Sequence, residues 1–286
     1  MTIIERALEK HRPAAETGLS SGKRGNSPKE PIDPAARLPR TQAVIDRVAC
    51  RERRVLMLND SNDDKRYVAA YRMLRTRLLH RTRTKKWTTI AVTSAGPNDG
   101  KTTTTINLAL SLAREKSRET VLLDMDMRNP SVCRTLGVEP AHELRDYLEH
   151  RNGHHDLFFS LGSENLLVAG SITPTELASE LLSGTSYDEL LELVKRGTRD
   201  PIILIDLPPV LVTDDALVVA PKVDAMLIVA SEGLTSRSEL TKALNLLSEF
   251  TIAGVVLNQA TDTTAEYSYG YTYEGASDSR ASRTNV

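Results

Sequence analysis

The sequence predicts an α/β protein: a mainly parallel sheet with helices on both faces. Three observations carry that prediction. Short apolar runs alternate with longer helical patterns along most of the chain. Most of those runs are continuously apolar, as strands covered on both faces are, where a half-exposed strand would alternate. The first run passes through a glycine-containing turn straight into a helical pattern, the order of a strand–loop–helix unit.

The expected strands are Thr88–Thr93, Thr120–Asp124, Leu166–Ala169, Ile202–Asp206, Ala225–Ala230 and Gly254–Asn258. Helical periodicity marks about Asp63 to His80, then Lys101–Lys116, Pro174–Leu182, Tyr187–Arg196, Asp214–Ala220 and Ser236–Phe250. Strands separated by helices favour parallel pairing through right-handed crossovers. The folded domain is therefore placed at residues 61–260. Residues 1–60 read as an extension. Ile3, Ile4, Ala7 and Leu8 share one face of a short docking helix, and a Pro-, Gly-, Ser- and charge-rich linker follows from His11 to about Arg40. Residues 261–286 are polar and Ser/Thr-rich and read as a flexible tail.

Composition narrows the functional classes. With 37 Lys and Arg against 38 Asp and Glu, net charge is −1, which gives no sign of a nucleic-acid partner. Three Phe and one Trp leave the core to aliphatic side chains. Two cysteines, Cys50 and Cys133, are too few for a disulfide framework and point to a reducing cytosol. No apolar run reaches about 18 residues, so no membrane span is expected, and the first residues do not read as a secretory signal. His150, His154 and His155 lack the spacing of a known metal site.

The first strand ends in TSAGPNDGKTTTT. Ala95-x-x-x-x-Gly100-Lys101-Thr102 matches the phosphate-loop pattern with Ala in place of its first Gly. Gly96 and Gly100 allow the backbone angles that turn N–H groups inward. The helix that begins near Lys101 directs its positive end at an anion. Lys101 can reach β- and γ-phosphates, and the Thr102 hydroxyl can ligate Mg²⁺. The nucleotide-binding candidates are Gly96, Pro97, Asn98, Asp99, Gly100, Lys101, Thr102 and Thr103. The competing reading is an ordinary Gly/Pro turn capped into a helix; the apolar strand before it and the amphipathic helix after it argue against that.

Two carboxylate sites join this loop. In VLLDMDMRNP, Asp124, Asp126 and Arg128 alternate as their strand ends, so they can share a face. In IILIDLPPV, Asp206 ends another strand and Pro208 and Pro209 stiffen the turn beyond it. The carboxyl ends of parallel strands line the ligand crevice. The two carboxylate sites therefore converge on the phosphate loop, as a magnesium nucleotide with octahedral oxygen ligands requires.

These three motifs together resemble the bacterial tyrosine kinases, the autokinases of exopolysaccharide and capsule export. They are relatives of the MinD/ParA P-loop ATPases, from whose loop they differ by lacking an extra signature Lys. The similarity covers about Tyr67 to Gln259, and TIIERALEK resembles the exosortase-associated branch, whose members stand beside a separate membrane subunit. The resemblance implies ATP and Mg²⁺ as cofactors and phosphate and metal binding by Lys101 and Thr102. It implies that Asp124 and Asp126 hold metal and orient or deprotonate an acceptor tyrosine, and that Asp206 acts on magnesium through water. Asn258 matches a position near adenine, and with Arg128 of the DxDxR element it joins the expected nucleotide-binding set. It further implies a homo-oligomer, a membrane-embedded co-polymerase subunit as activator, and a cytoplasmic location at the inner face of the inner membrane. Two departures stand out. Leu207 replaces the usual Thr or Ser, and Ala69-x-x-Arg72-x-x-Arg75 keeps both arginines of a subunit-packing motif but not its Glu.

The tail reads YSYGYTYEG, with Tyr267, Tyr269, Tyr271 and Tyr273 at every second position. Alone, this alternation reads as an edge strand. Beside the kinase-like motifs it reads as a set of acceptors phosphorylated by a neighbouring subunit. An alternative keeps the nucleotide site without protein phosphorylation, as in a MinD/ParA-like regulatory switch. The run RTRLLHRTRTKK holds six Lys or Arg and no acid. It is a solvated face, a subunit contact for acidic residues or phosphotyrosines, or a membrane-facing surface.

Overall fold

The computed structural model describes residues 38, 40–56, 65–151, 153, 156–161 and 165–260. The expected N-terminal docking helix, most of the linker and the tyrosine tail lie outside them. In chain order the elements are β1 (Arg40–Gln42), α1 (Arg47–Glu52), α2 (Lys65–Lys85), β2 (Thr89–Ser94), α3 (Lys101–Leu112), β3 (Thr120–Asp124), α4 (Val132–Leu136) and α5 (Leu144–Leu148). Then come β4 (Phe158–Ser160), β5 (Leu166–Ala169), α6 (Ala178–Ser183), α7 (Thr185–Gly197), β6 (Ile202–Asp206), α8 (Asp215–Val219), β7 (Ala225–Ser231), α9 (Arg237–Leu246) and β8 (Ile252–Asn258).

The strands form one sheet in the order β1-β4-β5-β3-β6-β2-β7-β8. All neighbours pair in parallel except β4 with β5. The predicted α/β architecture is therefore observed. The central strands are buried along their whole length. Ile90, Val92, Leu122, Leu204 and Leu227 pack on one face with Leu78 of α2 and Ile106 and Leu108 of α3. Ala91, Leu123, Ile205 and Ile228 pack on the other with Leu182 of α6, Leu190 of α7, Val219 of α8 and Ala243 of α9. Each such Leu, Ile or Val contributes roughly 1.5–3 kcal/mol on burial, and this aliphatic slab fixes the strand ends that carry the site.

Helix limits differ from expectation where local chemistry overrides periodicity. α3 stops at Leu112, capped by Ala113, short of Lys116. α6 starts at Ala178 and not Pro174; the segment before it is tied to the end of the DxDxR turn, with the Thr175 N–H donating to the Met127 carbonyl at 2.9 Å. α9 starts at Arg237 because Ser236 and Glu239 form a reciprocal capping box. α2 runs to Lys85, beyond the expected end at His80.

Part of the expected extension belongs to the fold. β1 pairs with β4, and Cys50 and Val55 are buried in the core. The Leu38 N–H donates to the Gly197 carbonyl at 3.2 Å. A Cβ at Gly197 would lie 2.7 Å from Leu38 Cγ, so glycine permits that approach. The segment 40–56 thus folds with the sheet, against its assignment to residues 1–60.

Candidate active site

The site is built at the carboxyl ends of β2, β3, β6 and β8. After Ser94 the chain enters the phosphate loop, where Asn98 (φ 64°) and Gly100 (φ 80°) both adopt left-handed angles. Gly100 is the N-cap of α3 and offers no side-chain cap. The first N–H groups of a helix have no partner inside it, so this 12-residue helix presents uncapped donors and a positive dipole end to the loop. A Cβ at Gly100 would fall 2.1 Å from Asn258 Nδ2.

The loop is held from behind. Asp99 is buried; its Oδ2 accepts from the Gly96 N–H at 3.1 Å and its Oδ1 from the Thr235 hydroxyl at 2.6 Å. Asn258 Nδ2 donates to the Asp99 carbonyl at 2.9 Å, and Gln259 Nε2 to the Asn98 carbonyl at 3.3 Å. Asp99 and Asn258 therefore support the loop from within the protein. Gly96 is half-buried, and Pro97 and Asn98 are exposed at its tip.

Lys101 sits among carboxylates. Its Nζ is 2.5 Å from Asp126 Oδ2 and 3.8 Å from Asp206 Oδ2. The Thr102 hydroxyl donates to Asp206 Oδ2 at 2.6 Å and lies 2.9 Å from Ser131 Oγ. The Thr105 hydroxyl reaches Asp206 Oδ1 at 3.1 Å. Asp124 and Asp206 are register partners at the ends of β3 and β6. Asp124 Oδ2 accepts from the Ser131 and Val132 N–H groups at 2.9 and 2.8 Å, closing the turn from Asp124 to α4. The sequence candidates Lys101, Thr102, Asp124, Asp126 and Asp206 thus meet in one cluster. Ser131, Thr105 and Thr235 belong to its surroundings and were not singled out from sequence. The spacing Thr102-x-x-Thr105 on the first turn of α3 was the available signal for Thr105. Thr103 is half-buried on that same turn.

The charges are unbalanced: three buried carboxylates face one ammonium. Burial, then the Asp206 carboxylate, pushes Asp124 up to about 8, against the pull of the Val132 N–H and Lys101. Burial also raises Asp206, opposed by Lys101 and the Thr102 hydroxyl. For Lys101 burial pulls downward, but Asp206 and Asp126 outweigh it and the ammonium is held above its usual range. A cluster short of positive charge is suited to a cation.

These residues fit a magnesium nucleotide. The uncapped donors of α3 and Lys101 suit phosphate, and the bonded pair of Thr102 hydroxyl and Asp206 carboxylate presents hard oxygens. Among the described residues no three His, Cys, Asp or Glu side chains form a complete cage; Mg²⁺ usually takes one or two carboxylates with phosphate and water.

Arg128 does not join the cluster. Its Nε donates to the buried Asp215 carboxylate at 3.0 Å, and its other nitrogens reach Ser179 at 3.1 Å and the Glu176 carbonyl at 3.3 Å. These partners, and not the Lys101 cluster, take up the guanidinium's hydrogen bonds. Leu207, where relatives were expected to carry a hydroxyl, is wholly buried in the core. On α2, Ala69 and Arg72 are exposed, while Arg75 donates to the Ser111 carbonyl at 3.1 Å within the same chain.

A family model described as ParA, "NUBPL iron-transfer P-loop NTPase", matches residues 86–276. The chain is 35% identical over 178 residues to "Tyrosine-protein kinase CpsD" of Streptococcus pneumoniae serotype 4, covering 59% of this chain and 75% of that relative. It is 27% identical over 204 residues to "Tyrosine-protein kinase YwqD" of Bacillus subtilis, covering 70% and 84%. Among solved structures, the kinase domain of Escherichia coli tyrosine kinase ETK superposes with a TM-score of 0.66 at 27% identity, over 77% of this chain and 86% of that one.

Proposed function

Because the chain belongs to the ParA-type P-loop NTPases and, with its CpsD relative, to the bacterial tyrosine kinases, we propose that it is an ATP-dependent protein-tyrosine autokinase. Its acceptors are Tyr267, Tyr269, Tyr271 and Tyr273 of a neighbouring copy in a homo-oligomer. Its role is to regulate exopolysaccharide polymerisation or export beside a membrane-embedded co-polymerase, at the inner face of the inner membrane. The carrying observation is the convergence of Lys101, Thr102, Asp126 and Asp206 at the mouth of an uncapped helix.

Bound Mg-ATP would supply the γ-phosphoryl group and neutralise its developing charge. Lys101 and the N–H groups of α3 would hold the phosphates, and Thr102 and Asp206 the metal. Lys101 is paired with Asp126 at 2.5 Å. As Lys101 turns to a phosphate, it frees Asp126 to accept the proton of an acceptor tyrosine hydroxyl. Asp124 is wholly enclosed and bonded to backbone N–H groups, so it supports the 124–132 turn and is the poorer base. A tyrosine hydroxyl, with a pKa near 10, needs only late proton removal in a loose transition state.

The test is to incubate the purified chain with Mg-ATP and map phosphate by mass spectrometry beside Lys101→Met. Phosphate on Tyr267 to Tyr273 that vanishes in the variant supports the kinase. ADP release with an unmodified tail would replace it with the regulatory-switch reading.

A further inference from the structure

The helix α2 carries eight Lys and Arg residues and no Asp or Glu, although the whole chain is almost neutral. Its apolar side chains Val68, Leu78 and Leu79 face the core. Arg72, Arg77, Arg81, Arg83 and Lys85 are exposed, as is Lys86 just beyond it. Among the described residues Arg83 pairs with Glu115 at 3.6 Å. The subunit-packing motif that would place a Glu on this face has Ala69 instead.

We propose that this face binds the chain's own tail once the tail is tyrosine-phosphorylated. The inference rests on the kinase reading for the origin of the phosphates, not for the binding itself. Three observations support it. The first is charge. Between residues 261 and 279 the tail has Asp262, Glu266, Glu274 and Asp278 and no Lys or Arg. Each phosphotyrosine adds about −1.5 to −2 at pH 7 and three strong acceptor oxygens.

The second is spacing. Arg77, Arg81 and Lys85 are four residues apart, about 6 Å of helix rise. Tyrosines at every second residue of an extended chain repeat at about 6.6 Å. Arg77 to Lys85 spans about 12 Å of helix, close to the roughly 13 Å between the first and third of three such tyrosines. The third is reach. A Cβ at Gly254 would lie 3.4 Å from Arg81 Nη1, so the basic face abuts β8, the strand that leads into the tail. From Gly254 to the end of β8 is about 13 Å, and residues 259–266 can span about 26 Å. A membrane surface would not require matched spacing or length. Docking would withdraw used acceptors from a neighbour's site and cover α2.

The test uses the full-length chain and a synthetic peptide of residues 261–279 carrying four phosphotyrosines, so it does not depend on the chain's own transfer activity. Fluorescence anisotropy should show the phosphopeptide binding at least tenfold tighter than the unmodified peptide, and weakening as salt rises. The variant Arg77→Glu/Arg81→Glu/Lys85→Glu should lose that preference while keeping its circular dichroism and nucleotide affinity. Equal binding of both peptides would overturn the proposal, as would phosphopeptide binding untouched by the triple variant. Binding to phosphatidylserine vesicles without phosphopeptide binding would reassign the surface to membrane. Failed mass-spectrometric phosphorylation with intact phosphopeptide binding would instead remove the kinase reading and leave the surface.

Discussion

At the carboxyl edge of the sheet one ammonium, Lys101, faces the buried carboxylates of Asp124, Asp126 and Asp206. On α2 a row of cations faces no acid of its own helix, in water. Both regions are unbalanced, but the medium differs. Within the protein an unmatched charge is weakly solvated, so it moves pKa values and attracts whatever restores balance. On the surface the same imbalance is screened within about 8–10 Å at ordinary ionic strength. It costs the fold little and acts mainly through association. The buried cluster is therefore chemically poised, and the exposed one is available for a polyanion.

The largest expected effect removes the cation that the buried carboxylates share. Lys101→Met should lower Mg-ATP affinity or phosphoryl transfer by at least about a hundredfold, the scale of losing one charge-stabilising donor. Calorimetry and the transfer assay measure these separately. If both survived within a few-fold, the comparison between the two regions would lose its functional half.

The second effect is on pH dependence. Asp124 is raised to about 8 in the fold by burial and Asp206, against about 4 when unfolded. Between those values the folded chain binds more protons than the unfolded one, so stability falls as pH rises. The contribution of Asp124 is fully present below about 4 and is lost as pH passes through about 8. Denaturant unfolding of the nucleotide-free chain should show this slope, and Asp124→Asn should flatten it. A variant with the parental slope would mean that Asp124 is not the group responsible.

How much of this was legible in the sequence depends on the kind of signal. Central strands such as Ile202–Asp206 announce themselves by unbroken apolar content, and the phosphate loop by glycines and Lys101 at fixed spacing. β1 and β4 are three residues each, too short for any period, and Arg40–Gln42 has no apolar residue. α4 and α5 are five residues long and equally invisible to periodicity. Within the site, Asp124 and Asp206 were readable because a strand ends on each. The engagement of Arg128 by Asp215 was not, since the two are 87 positions apart and meet only through packing. Asp99 is legible as a loop residue, but its bond to Thr235 arises from the fold.

A smaller effect lies where the loop meets its support. Gly100→Ala places a Cβ at a left-handed φ of 80° and 2.1 Å from Asn258 Nδ2. The backbone cost alone is about 1–2 kcal/mol, and the clash must also displace the Asn258 bond to the Asp99 carbonyl. Chemical denaturation should show a loss of that size or more, with weaker nucleotide binding. Parental stability would mean that Gly100 does not hold this angle in solution.

The smallest effect belongs to α2 and tests the other half of the comparison. Arg77→Glu and Arg81→Glu change exposed side chains, so each should shift unfolding free energy by no more than about 0.5 kcal/mol. Removing like charges from a helix that holds no acid of its own should, if anything, stabilise it at low salt. Denaturant midpoints at low and high salt measure both points. A marked loss of stability would show these arginines to be structural, and the α2 face would then resemble the buried cluster it is contrasted with. Parental stability in the presence of lost phosphopeptide binding would instead show charge held in reserve for a partner, at almost no expense to the fold.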